Sequence, residues 1–292
     1  MRVLLCLFLL LGLAGPVSSA PMQAEPIQAI MGVKVTTTSD GVLRVSWPRQ
    51  EVPVRVDGLA LDPFLGLGTW AAFQGQSDHA MVMGDTVLFE DEVNPAMDAA
   101  FASGLSVTAL HNHFFYDQPR VYFMHIEGHG NAEQLARGVR AVWDAARAVR
   151  KRSPEPGTAF PGGPPAVGDL PAGEMQQILG VKPEARGDLL KFTVGRTTTM
   201  GQMSVGGSMG LTTWMGFAGN EQHAIVDGDF AMLAEEVQPV LQCLRRNGIY
   251  VVALHNHMIG ETPKYYFVHF WGKGPAVELA RGLRQALDLQ KN

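Results

Sequence analysis

Two stretches of this chain carry the same pattern 144 residues apart. Trp70 matches Trp214, His79 matches His223, and His111-Asn112-His113 matches His255-Asn256-His257. Pro119, His125 and Arg137 recur as Pro263, His269 and Arg281. No gap is needed from Trp70 to Asp144, and 31 of those 75 positions are identical. Further upstream, Gly32-Val33-Lys34 matches Gly180-Val181-Lys182 at an offset of 148, four residues more. The period is far too long for a solenoid, whose units run to roughly 20–45 residues. It marks a duplicated globular domain, so each half must carry a fold of its own.

The repeat divides the chain. Residues 26–150 form a first domain and 172–292 a second. Between them, residues 151–171 hold Pro154, Pro156, Pro161, Pro164, Pro165 and Pro171 with several glycines. That composition makes a semi-extended, solvated linker. It is long enough for the two domains to pack against each other, face to face or side by side. Residues 1–20 read as a secretory signal peptide: Arg2, an apolar run from Val3 to Leu13, then small residues up to Ala20. Cleavage near Ala20 predicts a secreted or periplasmic protein.

Composition excludes several classes. The 292 residues carry a formal net charge of −5, with no basic block to grip a phosphate backbone, so nucleic-acid binding is not expected. No run of 18 apolar residues exists, so no transmembrane segment is expected in the mature chain. Of the two cysteines, Cys6 falls in the signal and Cys243 lies in an apolar helical stretch. An internal disulfide is therefore excluded, and Cys243 reads as a small buried hydrophobe. No organic cofactor is indicated.

The second copy gives the clearest element order. Leu190–Val194, Thr213–Ala218 and His223–Leu233 alternate as strands. Glu235–Asn247 has helical spacing and ends at Gly248. Ile249–Met258 and Lys264–Trp271 are strands joined by a short turn, hence an antiparallel hairpin. A last helix runs from Ala276 to Leu289. The order β-β-β-α-β-β-α predicts an α+β fold in each domain, an antiparallel or mixed sheet with helices on one face. Trp70, Trp214, Phe73 and Phe217 read as core, and Gly84-Asp85 and Gly228-Asp229 as bends.

All nine histidines sit in or beside the repeated signature. His-x-His at strand spacing puts both imidazoles on one face, because side chains alternate with period two. His125 follows on the partner strand. If paired numbers sum to 234, Ala109 faces His125 and His111, His113 and His125 share a face. If they sum to 233, His125 points away. The same holds for His255, His257 and His269. Three imidazoles with an open position suit zinc, copper or iron. His79, His223, Asp85 and Asp229 are additional candidate ligands. Glu92 and Glu236 are candidate bases for a metal-bound water, or helix-start carboxylates favoured by the dipole.

Two motif matches fail. The consecutive His-Asn-His is not the dispersed HNH nuclease motif. The His-x-His of JAMM-type metalloproteases continues with Pro, Ser and Asp, where this chain has Phe114, Val121 and Met124.

Ala109-Leu110-His111-Asn112-His113, then Pro119 and Phe123-Met124-His125, recurs as Ala253-Leu254-His255-Asn256-His257, Pro263 and Phe267-Val268-His269. With Gly66–Trp70 and Glu92–Pro95, this pattern resembles the bacterial family of unknown function that includes the mycobacterial lipoproteins LppY and LpqO. The resemblance covers nearly the whole mature chain and implies an exported bacterial protein. This chain lacks the lipid-attachment Cys of the lipoprotein members.

The expectation is an exported metal-binding protein. Two other readings stay open: a metal-dependent hydrolase acting on an envelope component, and a binding or scaffold module with structural histidines.

Overall fold

Period-two alternation in each half builds long strands, and these meet in one sheet. The computed structural model describes residues 21–291, and the signal peptide read over 1–20 lies outside the described residues. The first repeat contributes β1 (Thr36–Thr37), β2 (Leu43–Pro48), β3 (Arg55–Val56), β4 (Leu59–Ala60), β5 (Gly68–Gln76), β6 (His79–Phe89), β7 (Ser106–His111), β8 (Asp117–Gln118) and β9 (Val121–Gly130). The second contributes β10 (Glu184–Arg186), β11 (Leu189–Gly195), β12 (Thr198–Met200), β13 (Met203–Val205), β14 (Thr212–Gly219), β15 (Ala224–Leu233), β16 (Tyr250–His255) and β17 (Tyr265–Gly274). Helices α1 (Ala24–Met31), α2 (Glu90–Ala102) and α3 (Ala132–Arg152) belong to the first repeat. Helices α4 (Ala172–Leu179), α5 (Ala234–Arg246) and α6 (Ala276–Leu287) belong to the second.

Twelve strands form one sheet in the order β1-β2-β5-β6-β9-β7-β16-β17-β15-β14-β11-β10. The fold is mixed α and β, as expected, and the large sheet is antiparallel throughout. The repeats join edge to edge at its centre, where Leu110 of β7 pairs with Leu254 of β16. Side-chain amides extend this seam. Asn94 accepts from the Val251 N–H at 2.9 Å and donates to the Val251 carbonyl at 3.1 Å. Gln238, 144 residues on, does the same for Val107 at 3.0 and 2.7 Å. Each helix thus satisfies a strand edge of the other repeat.

The helices cover one face. Val82, Leu88, Met124 and Ile126 from the sheet pack with Ile27, Val139, Trp143 and their counterparts in a single core spanning both repeats. Phe73 and Phe217 are buried there, each contributing about 1.5–3 kcal/mol. Cys243 is buried, as expected. On the other face, β3, β4 and β8 form a small sheet, and Val87, Phe89, Val121 and Phe123 build a second cluster with Val52, Val54 and Leu67. In the second repeat Ala231, Tyr265 and Phe267 pack with Val205 of β13 and Leu211.

Several expectations need correction. Trp70 and Trp214 are half-buried on the open face, under Arg44 at 4.2 Å and Lys191 at 4.6 Å. Gly84-Asp85 and Gly228-Asp229 lie within long strands and are not bends. At Gly228 a Cβ would stand 2.3 Å from the Trp214 carbonyl oxygen and the Phe270 ring, so packing explains the glycine. Helices α1 and α4 were not foreseen, being only eight residues each. Each ends on a left-handed glycine, Gly32 at φ 67° and Gly180 at φ 71°. The Gly-Val-Lys match is this helix stop. α3 runs on through Lys151 and Arg152, two residues into the stretch read as linker.

Candidate metal centre

A β-bulge settles which face the histidines take. Along β7 and β9, Ser106 pairs with Glu127 and Val107 with Ile126, numbers that sum to 233. From Ala109 on, opposite His125, they sum to 234. Thr108 is the extra residue that shifts the register. In the second repeat the shift falls between Val251 and Ala253, and Ala253 faces His269. Both halves therefore bring His-x-His and the downstream histidine to the same open face. Asp85 pairs with His125, and Asp229 with His269, on the next strand over.

The side chains converge. Ligand atoms of His255, His257 and His269 all lie within 4.8 Å of one another. Their rings sit 5.1 Å (His255–His257) and 5.0 Å (His255–His269) apart. In the first repeat His111 stands 5.2 Å from both His113 and His125, ring to ring. His113 stacks on Phe123 at 3.3 Å and His257 on Phe267 at 3.4 Å, which fixes the second imidazole of each pair. Asp229 Oδ2 lies 3.6 Å from His257 Nε2, too long for a hydrogen bond. Asp85 and Asp229 are 8% and 3% exposed, and Oδ1 of each has no hydrogen-bond partner among the described residues.

Burial dominates the electrostatics. It pushes the Asp229 carboxyl up to about 7, opposed by His269 and reinforced by Asp227. It raises Asp85 as well, against the pull of His125 and His111. It lowers His257 to about 4, with His255 and His269 adding repulsion. His111, His113 and His255 are lowered by the same burial first. Imidazoles pushed low by burial beside a raised carboxyl make a group that could hold a metal ion, His255, His257 and His269 foremost.

Other candidates fall outside. His79 and His223 stand at the far end of the strand pair, six residues before Asp85 and Asp229, and are exposed. At about 3.4 Å per residue that is roughly 20 Å, so neither reaches the cluster. Glu92 is fully buried with both oxygens engaged. Oε1 accepts from Arg49 at 3.0 Å and Arg150 at 2.6 Å, and Oε2 from Arg49 at 2.9 Å and the Phe89 N–H at 3.0 Å. Glu236 is held by Arg196 at 3.0 Å, the Leu233 N–H at 2.9 Å and the Lys291 N–H at 2.6 Å. These carboxylates cap helix starts and are not available as bases.

Sequence reasoning missed the arginines that hold them. Arg49 and Arg196 are 147 residues apart, inside the gapped region where the fixed offset of 144 fails. It also missed Phe123 and Phe267 as stacking partners, though both recur at the fixed offset.

Fold and site together define a duplicated α+β protein with a histidine cluster in its second half and the matching histidines side by side in its first. The chain belongs to the family described as Domain of Unknown Function (DUF1259), whose model matches residues 25–145 and again 173–289. No curated protein matches the sequence. Two solved structures show a likeness. One is a trimeric bacterial microcompartment shell protein, PduB, at 10% identity over 88% of this chain and 90% of that one, with a TM-score of 0.22. The other is EtuB from Clostridium kluyveri, at 9% identity over 87% and 89%, with a TM-score of 0.21. At such scores neither bears on fold or function. No helix among the described residues is long and apolar enough to cross a membrane.

Proposed function

We propose that each repeat binds one transition-metal ion through three imidazoles and a buried carboxylate. The ligands would be His111, His113, His125 and Asp85 in one half, and His255, His257, His269 and Asp229 in the other. The observation that carries this is duplicated: in both halves a buried aspartate, one oxygen of which has no partner among the described residues, stands opposite the third histidine of the set. A buried polar atom without a partner costs about 1–3 kcal/mol, and a cation among these donors would remove that cost. Three nitrogens and one oxygen suit zinc, copper or iron.

The same reading takes the mature chain as two domains, 26–150 and 172–292, exported after cleavage of the 1–20 leader. The resemblance to the LppY and LpqO family supports export.

Titration of the chelator-treated protein with zinc tests the reading. Two equivalents are expected to bind, falling to one in His255→Ala/His257→Ala and one in His111→Ala/His113→Ala. No uptake would leave the clusters as structural histidines in a binding module.

A further inference from the structure

A second site lies apart from the histidines. A cleft of about 480 Å³ opens where the start of α2, the linker and β16 meet. Glu90, Asp91 and Val93 line one wall, and Tyr250 and Val252 of the other repeat line another. Linker residues Gly157–Pro161 close it, with Phe160 packed 4.7 Å from Tyr250 and 6.0 Å from Trp271, ring to ring. The size falls within the range of small-molecule sites, and a junction between repeats is where such sites form.

The wall chemistry selects a charge. Asp91 Oδ2 receives the Gly157 N–H at 2.9 Å and pairs with Arg150, which ties the linker down. Its Oδ1 has no partner among the described residues but is closed to solvent, so Asp91 holds the linker, and Glu90 is the exposed carboxylate on the wall. Arg245, the one cation on the wall among the described residues, is already committed. It gives two hydrogen bonds to Asp98, at 2.8 and 2.9 Å, and one to the Ile249 carbonyl at 2.9 Å. Behind the wall two guanidiniums, Arg49 and Arg150, face three carboxylates, Glu51, Asp91 and Glu92. Glu90 adds another negative charge. Arg245 already stands over the Tyr250 ring at 5.5 Å, which leaves Phe160 and Tyr122 as the aromatic walls beside the exposed Glu90 carboxylate, a setting that favours an organic cation.

We propose that this cleft binds a small organic cation, an amine on an apolar or aromatic body, with the ammonium directed to Glu90. The site is single. The positions matching Arg245, Tyr250 and Val252 in the first repeat are Phe101, Ser106 and Thr108, and the linker passes only once. One ligand per chain is therefore expected, against two metal ions. The proposal stands independently of the metal reading.

The test uses phenethylamine and phenylacetate on the purified protein, by calorimetry and saturation-transfer NMR. Phenethylamine is expected to bind at one site per chain, about tenfold or more tighter than phenylacetate. Val252→Phe, which fills the cleft, is expected to abolish binding. Phe160→Ala, a change in the linker alone, is expected to weaken it about tenfold. His255→Ala/His257→Ala is expected to leave it unaltered. Equal binding of the two probes, no binding of either, or binding indifferent to both Val252→Phe and Phe160→Ala would overturn the proposal.

Discussion

Asp229 and His257 face each other at 3.6 Å, the carboxyl pushed up to about 7 and the imidazole down to about 4. Between those values both are neutral, the carboxyl protonated and the imidazole not. If Asp229 ligates the ion as proposed, binding below pH 7 expels its proton. Zinc binding at pH 6 is expected to release about one proton more from the parent than from Asp229→Asn, a difference that fades above pH 8. Calorimetry in buffers of differing ionisation enthalpy reads this directly. Equal release by the parent and Asp229→Asn would contradict a protonated Asp229.

The same carboxyl sets a pH dependence of the metal-free fold. Its folded pKa is above the ordinary 3.8, so the folded state holds the extra proton between about 4 and about 7. Its stabilising contribution is full below that window and lost as pH rises through it. His257 runs the other way: its contribution is full above the ordinary 6.5 and lost as pH falls toward 4. Asp229→Asn removes only the first. Metal-free Asp229→Asn is expected to gain thermal stability over the parent at pH 8 and to match it near pH 4. With zinc the order at pH 8 is expected to reverse. Unfolding curves with and without chelator check both signs.

Glu92 supports the fold. Removing it leaves Arg49 and Arg150 buried without their shared partner. Glu92→Ala is expected to cost about 3–5 kcal/mol in chemical denaturation, with zinc stoichiometry unchanged. Loss of metal without loss of stability would return this residue to the site.

Asn94 and Gln238 hold the seam. Asn94→Ala leaves the buried N–H and carbonyl of Val251 without partners, at a cost of about 1–3 kcal/mol. The hydrogen-exchange protection of Val251 is expected to fall more than that of Val82, deep in the first repeat. Equal loss at both positions would mean that the seam has no separate stability.

Much of the site is legible in the sequence because duplication kept it at one offset. His111, His113 and His125 stand out by spacing, and their copies confirm the pattern. The register is not legible: it turns on one extra residue, Thr108 or Val252, and in the first repeat both a sum of 233 and a sum of 234 occur along the same strand. Asp85 looked like a turn former because Gly84 precedes it, whereas the glycine answers to packing across the strand. Glu92 reads as a helix-start carboxylate or a base, and the structure shows the first; its partner Arg49 gives no signal because it lies where the offset breaks. The edge-to-edge union through Leu110 and Leu254 had no local signal, since Leu reads the same in a hairpin core and at a seam. Trp70 misled because an aromatic on an open sheet face under Arg44 has the same alternation as one in the core.

Metal content is the most direct test of the central claim. The protein would be exported to a periplasm, purified without a nickel column and analysed by mass spectrometry, beside the His111→Ala/His113→Ala and His255→Ala/His257→Ala variants. The expected result is about two equivalents of one transition metal per chain, with one lost in each variant. A protein that carries no metal and takes none up on titration with zinc, copper or iron would contradict it.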